Sequence, residues 1–176
     1  MGKARHVALL RGINLGARNK IKMPDLRELF EELGAEDVST YLQSGNVVFA
    51  GSLEPNAIEA RIERDLGLEI VVLIRTGAEL GRLVARNPFA RRASDLKQLH
   101  VTFLAESPGA ARVKELDPER SPPDEFHVAG RDVYLYTPNG YGRSKLSNAY
   151  FEKKLGVAAT SRNWNTVTNL AKLAHG

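Results

Sequence analysis

VSTYLQSGNVVF, residues 38–49, decides the fold. Val38, Thr40 and Leu42 alternate with Ser39, Tyr41 and Gln43, the period of two expected of a strand with one face buried. Val47–Phe49 is a second short apolar run, and Ser44-Gly45 between the two is a two-residue turn signal, so the stretch reads as a hairpin. A helix pattern stands on either side of it. Upstream, Leu26, Leu29, Phe30 and Leu33 recur at i, i+3, i+4 and i+7, with Pro24 in the first turn, Asp25 and Glu28 near the positive end and Gly34 closing. Downstream, Ile58, Ile62 and Leu66 form one stripe between Pro55 and Gly67. Beyond the helices, Arg5–Arg11 and Glu69–Arg75 are apolar runs that read as strands. The order β-α-β-β-α-β is that of a ferredoxin-like unit. In that order the last strand lies at a sheet edge, and Ile70–Ile74 is too apolar to be left open there. Something has to cover it, and the second half of the chain is the candidate.

That half repeats the theme. Thr76 and Glu79 form a capping-box pattern before Leu80, Leu83 and Val84, and Asn87-Pro88 stops that linking helix. A strand follows at Gln98–Leu104, where Leu99, Val101 and Phe103 alternate with polar neighbours. Ser107-Pro108 reads as a helix start. Phe126–Ala129 and Val133–Tyr136 flank Gly130-Arg131 as a second hairpin, and helices are expected over Ser147–Leu155 and about Asn163–Leu173. The expected architecture is therefore α+β. A ferredoxin-like half over residues 1–86 precedes a related strand-helix-hairpin-helix-helix half over residues 97–176, the two sharing one core.

Composition narrows the function classes. A chain of 176 residues buries roughly two-thirds of its unfolded surface and needs no staple. There are no cysteines, which removes disulfides, thiolate nucleophiles, iron–sulfur clusters and cysteine zinc sites together. The apolar runs are too short to span a bilayer and no apolar leader follows Met1, so a cytoplasmic protein is expected, with no membrane partner. Charge is unevenly placed. Residues 1–22 hold six cations and no acid, residues 141–176 hold six cations against Glu152 alone, and the middle therefore carries −7 within a net charge of +4. Such asymmetry favours an anionic partner.

Four polar segments are candidates to carry chemistry. Arg11-Gly12-Ile13-Asn14-Leu15-Gly16-Ala17-Arg18-Asn19-Lys20 joins a strand to a helix, where glycines free backbone N–H groups and the helix start adds positive dipole. Its spacing matches neither known phosphate loop, and a plain flexible connection is the competing reading. Gln43-Ser44-Gly45-Asn46 is the hairpin turn, whose amides also serve turn backbone. Tyr141 to Asn148 places Arg143, Ser144 and Lys145 before a helix capped by Ser147, a plausible anion cradle. Ser161 to Thr166 surrounds the single tryptophan, Trp164, with Arg162, Asn163 and Asn165 at another helix start. Trp164 reads as a core or interface anchor before it reads as a stacking platform, and Asn163 or Ser161 as a cap. The candidate ligand-binding residues are Arg11, Asn14, Lys20, Gln43, Asn46, Arg143, Lys145, Arg162 and Asn165. No catalytic residue is assigned. The four histidines have no metal-ligand spacing, no nucleophile elbow exists, and Asn46-Val47-Val48-Phe49 lacks the aromatic RNA-binding signature, so no metal or cofactor is expected.

These motifs have a joint resemblance. Leu9-Leu10-Arg11-Gly12-Ile13-Asn14-Leu15-Gly16, Met23-Pro24-Asp25-Leu26, Tyr41 to Phe49, Ser144 to Gly156, and Arg162-Asn163-Trp164-Asn165-Thr166-Val167 together resemble the domain-of-unknown-function family numbered 1697. The resemblance implies a bacterial α+β protein with ferredoxin-like subdomains, and it implies no activity. From the residues themselves, the expectation is a binding module for a phosphate-bearing ligand, either a nucleotide-like small molecule or nucleic acid. Arg11, Asn14 and Lys20 would meet Arg143, Lys145 and Arg162 around one cleft. The alternatives are an enzyme acting on a small anionic substrate, with Lys145 or an arginine as electrostatic stabiliser, and an interaction protein that buries Trp164 and the last helix against a partner.

Overall fold

The computed structural model of the chain describes residues 2–42 and 45–175. It is a mixed α+β structure that divides into two units, one of Met1–Leu83 with Asn169–Gly176 and one of Val84–Thr168. In chain order the first half holds β1 (Arg5–Leu10), α1 (Met23–Glu32), β2 (Glu36–Thr40), β3 (Asn46–Ala50), α2 (Pro55–Leu66), β4 (Val72–Thr76) and α3 (Gly77–Ala85). The second holds β5 (Leu99–Leu104), α4 (Ala110–Lys114), β6 (Glu125–Ala129), β7 (Asp132–Tyr136), α5 (Asn148–Leu155), β8 (Ala159–Asn163) and α6 (Trp164–Leu173).

The first unit is the ferredoxin-like arrangement read from the hairpin. Its sheet has the order β2-β3-β1-β4, every neighbouring pair antiparallel. α1 starts with Pro24 in its first turn, α2 ends on Gly67 in the left-handed conformation, and both press their apolar stripes onto one face of the sheet. Leu26, Phe30, Ile58 and Ile62 are fully buried against Ala8, Leu10, Val47 and Phe49. Burial of each large side chain stabilises by about 1.5–3 kcal/mol. The edge strand β4 is buried, as its composition demanded: Val72 and Leu73 are 3% and 2% exposed. The hairpin ladder closes where the Tyr41 N–H donates to the Asn46 carbonyl at 2.8 Å. The expected two-residue turn rests on Ser44, which with Gln43 lies outside the described residues. Gly45, with φ at 90°, is required there, because a Cβ would run into Ile13 and Leu10. The capping box at α3 forms as read: Glu79 accepts the Thr76 N–H at 2.8 Å, and Thr76 Oγ1 accepts the Glu79 N–H at 3.0 Å.

In the second unit the sheet order is β6-β7-β5-β8, the same topology. α5 is capped by Ser147, whose Oγ accepts the Tyr150 N–H, and it closes on left-handed Gly156. Phe151, Leu155 and Leu146 pack on Leu104, Val133, Leu135 and Ala159. Two expectations need correction. The short helix α4 is capped by Gly109 and not opened by Ser107-Pro108. The expected strand-helix-hairpin-helix-helix order also omits a strand, β8, which completes the sheet beside β5. Ala159-Thr160-Ser161-Arg162-Asn163 contains no large apolar residue, so neither periodicity nor β-propensity marks it. Its pairing with β5 holds it, and its polar groups find partners within the fold.

The two halves match residue by residue where the first strand of each pairs with the last. Leu10 faces Val72 as Leu104 faces Ala159; Ala8 faces Ile74 as Thr102 faces Ser161; Val7 faces Arg75 as Val101 faces Arg162; His6 faces Thr76 as His100 faces Asn163. Both β4 and β8 carry a buried arginine at the same register, 2% exposed at Arg75 and 7% at Arg162. Thr76 and Asn163 each start the helix that follows, Asn163 by accepting the Thr166 N–H on Oδ1 at 2.8 Å.

Candidate functional site

The Arg11–Lys22 loop of the first unit is built by two asparagines. Gly12, Asn14, Gly16 and Asn19 all take left-handed φ values of 49–70°. Asparagine accepts that conformation better than other side-chain-bearing residues because its short amide bonds to nearby backbone. Asn14 does so twice: its Nδ2 donates to the Ile21 carbonyl at 3.1 Å, and its Oδ1 accepts the Ile21 N–H at 2.9 Å. Asn19 Nδ2 donates to the Gly12 carbonyl at 3.1 Å, and the Asn14 N–H donates to the Asn19 carbonyl at 3.0 Å. The loop is thus a closed, self-bonded form, and Asn14 acts on its own backbone. Beneath it, the N-cap residue of α1, Lys22, makes no side-chain capping hydrogen bond. A cleft of about 470 Å³ opens there, lined by Asn14, Gly16, Lys20, Lys22, Met23 and Asp25 among others. Lys20 and Lys22 are exposed, and neither side chain has an ion-pair partner among the described residues. Arg11 enters the loop half-buried, its N–H donating to the Val71 carbonyl. Asn46 is fully buried, and its Nδ2 braces the hairpin by donating to the Tyr41 carbonyl at 2.7 Å. Gln43 lies outside the described residues.

In the second unit, polar groups gather on the face of the sheet that α5 covers. Ser161 Oγ donates to Asn148 Oδ1 at the first residue of α5 and accepts from the Tyr141 hydroxyl at 3.3 Å and from the Thr102 hydroxyl at 2.7 Å. The Tyr141 ring stacks on His100, centroids 4.5 Å apart. His100 Nδ1 is buried without a hydrogen-bond partner, and burial pushes this imidazole below its ordinary value of 6.5. Two segments picked from the sequence, Tyr141–Asn148 and Ser161–Thr166, therefore meet. Their meeting fixes the start of the turn Tyr141–Arg143 and the start of α5, and so holds in place the loop that carries Arg143 and Lys145. Both of those are exposed, with no side-chain partner among the described residues, and the Lys145 N–H donates to Ser121 Oγ at 3.0 Å.

Arg162 is placed differently. It lies inside the fold, donating to Thr160 Oγ1 at 2.7 Å and to the Ser161 carbonyl at 2.9 Å, and burial pushes its pKa down to about 10. It stays protonated at neutral pH. Asn165 is exposed on α6, while Trp164 is buried at 5% exposure. Arg11, Asn14, Lys20 and Asn46 thus belong to the first unit, and Arg143, Lys145, Arg162 and Asn165 to the second.

Residues 4–134 match the model of the family described as protein of unknown function, DUF1697. The chain belongs to that family. A conserved bacterial protein of Streptococcus pneumoniae, SP0830, has a similar solved structure, with a TM-score of 0.72 over 97% of this chain and 98% of that one at 20% identity. At that identity the likeness concerns the fold. No curated protein matches the chain.

Sequence reasoning on this DUF1697 chain passed over Thr102, Ser121 and Asp124. Thr102 alternates with Val101 and Phe103 and so reads as solvent-facing, yet it is fully buried. Asp124 closes a proline-rich stretch that reads as a plain loop, yet it is 8% exposed and accepts the Ser121 hydroxyl at 2.7 Å. No spacing rule links Ser121 to Lys145, which meet through space. Among the described residues no group of three or more histidines, aspartates or glutamates is placed to hold a metal ion, and no helix is long and apolar enough to cross a membrane.

Proposed function

We propose that this DUF1697 chain is a cytoplasmic binding module for a phosphate-bearing ligand of nucleotide size, seated over the start of α1. The observation that carries the reading is the cleft of about 470 Å³ in which Lys20 and Lys22 stand, without ion-pair partners among the described residues, beside a helix start that lacks a side-chain cap. Backbone N–H groups and the helix dipole favour an anion at such a position, and lysine supplies a mobile point charge toward phosphate. The self-bonded Asn14–Asn19 loop forms one wall in advance, so little ordering is needed on binding. Arg11 acts here through the backbone that starts the loop.

The test is thermal unfolding of the purified chain with inorganic phosphate, mono- and triphosphate nucleotides, and short single-stranded RNA, each at low and high salt. A ligand present at about a hundred times its dissociation constant adds about 2.7 kcal/mol of stability. A nucleotide shift that survives high salt and is lost in the Lys20→Ala/Lys22→Ala double variant supports the reading. A shift given only by RNA and removed by salt assigns a general basic surface and makes nucleic acid the partner. Absence of any shift with every phosphate compound sinks the proposal.

A further inference from the structure

A second, smaller cavity lies in the other unit and is independent of the α1 cleft. It has a volume of about 160 Å³ and is lined by Ser121, Pro122, Pro123, Asp124, Asn139, Gly140 and Arg143. The space equals that of about five waters, which excludes a nucleotide and admits a molecule of a few heavy atoms. Asp124 is more than nine-tenths buried. One carboxylate oxygen takes the Ser121 hydroxyl, and the group has no ion-pair partner among the described residues. Arg143 lines the same cavity and also has no ion pair or side-chain hydrogen bond among the described residues, and the two charges form no salt bridge with each other. An acid and a base that line one small cavity and remain apart leave two complementary demands on whatever enters. The carboxylate, held by one hydroxyl and by no cation among the described residues, favours a cation in the cavity. The guanidinium offers paired N–H donors, the geometry that fits a carboxylate.

We propose that this cavity binds a small zwitterion of the α-amino acid class, its ammonium on Asp124 and its carboxylate on Arg143. Asn139 lines the same cavity. The walls are tied together before anything binds. Ser121 Oγ donates to Asp124 and accepts the Lys145 N–H, which joins the proline-rich loop to the turn that bears Arg143. Tyr141, at the head of that turn, is held by Ser161. A pocket closed by such cross-bonds is pre-formed, and pre-formed pockets lose little affinity to ordering.

The experiment is calorimetric titration of the full chain with glycine, L-alanine and L-serine, beside acetate and methylammonium as single-charge controls. At least one amino acid binds, and acetate and methylammonium bind about tenfold more weakly or not at all, because each meets only one of the two charges. Arg143→Gln lowers the amino acid affinity by about tenfold or more; this side chain is exposed, so the variant keeps its fold. Asp124→Asn lowers it likewise, with circular dichroism confirming that the loop's parent unit is folded. Lys20→Ala/Lys22→Ala leaves it unchanged, which separates this site from the α1 cleft. Three results overturn the proposal: no amino acid binds, acetate binds as well as the amino acids, or Arg143→Gln binds as the parent does.

Discussion

Replacing Ser161 with alanine deletes the hub of the polar cluster under α5. Its hydroxyl contacts Asn148 Oδ1, the Tyr141 hydroxyl at 3.3 Å and Thr102 Oγ1 at 2.7 Å. The three partners respond differently. Asn148 and Tyr141 are half-buried and can turn to water, so each loses only the net worth of one hydrogen bond, about 0.5–1.5 kcal/mol before water compensates. Thr102 is 0% exposed, and its hydroxyl is left without a partner, a penalty of about 1–3 kcal/mol. With water compensating the first two, the expected loss for Ser161→Ala is set by the stranded Thr102 hydroxyl and is about 1–3 kcal/mol. Thr102→Val removes the stranded group itself and keeps the shape, so it costs about 1 kcal/mol alone. In the double variant the penalty for the orphaned Thr102 hydroxyl vanishes, and the two changes together cost at least about 0.5 kcal/mol less than their sum. Urea unfolding followed by fluorescence measures all four corners, since Trp164 is the only tryptophan, is 5% exposed, and begins the helix that follows β8. A single variant within about 0.5 kcal/mol of the parent, or a cycle whose terms add without coupling, refutes the cluster as a buried, satisfied network.

Three further outcomes follow from the same geometry. Gly77→Ala places a Cβ against the Ala174 carbonyl, and although alanine is the better helix former, the overlap wins and stability falls by about 1–3 kcal/mol in urea unfolding. Thr76→Ala breaks the capping box of α3 and costs about 1 kcal/mol, while Thr76→Ser recovers most of it. His100 is held neutral by burial, its folded pKa lying below the ordinary 6.5. As pH falls through 6.5 the unfolded chain takes up the proton first, so stability is level above that value and drops beneath it. His100→Phe, which keeps a ring stacked on Tyr141, flattens this part of the profile, and an unchanged slope in the variant would rule out His100 as its source.

The parts of the fold legible from sequence are those in which burial writes a period. Leu26, Leu29 and Phe30 at helical spacing, Ile58 and Ile62 on one stripe, and the apolar run that includes Val72 all occupy the core. Local chemistry was equally readable where one residue acts on its neighbours, as in the Thr76–Glu79 box and the Ser147 cap. What escaped is structure made by distant partners. β8 is a strand because β5 lies beside it, and its small and polar residues carry no period of their own. Arg162 reads as a candidate ligand-binding cation among amides, yet the pairing of Arg162 with Val101 carries it inside. The segments around Tyr141 and Ser161 were legible as unusual, but the reason, one hydroxyl serving both, required the fold to bring them together.

The duplicated topology supplies a control that a single unit would not. At one register the first sheet pairs Ala8 with Ile74, an ordinary apolar contact under its helices. At the same register the second sheet pairs Thr102 with Ser161, and Asn148 and Tyr141 are drawn in to satisfy them. The apolar solution exists in the same chain and avoids the desolvation that polar groups incur there. Stability alone thus gives no reason for the polar version. What it adds is direction: hydrogen bonds fix the orientation of the Tyr141–Asn148 loop in a way that apolar packing does not. The side chains that this loop then presents outward are Arg143 and Lys145, and Arg143 lines the cavity that Asp124 also lines. If Arg143, which has no side-chain partner among the described residues, binds as proposed, the network beneath it acts as its support, and a loss of orientation is felt as a loss of affinity. Ser161→Ala should therefore weaken amino acid binding at the Asp124–Arg143 cavity in a protein that is still folded, although Ser161 does not line that cavity. Equal affinity in the folded Ser161→Ala variant would reduce the network to a local stabilising device and leave Arg143 positioned by its own turn alone.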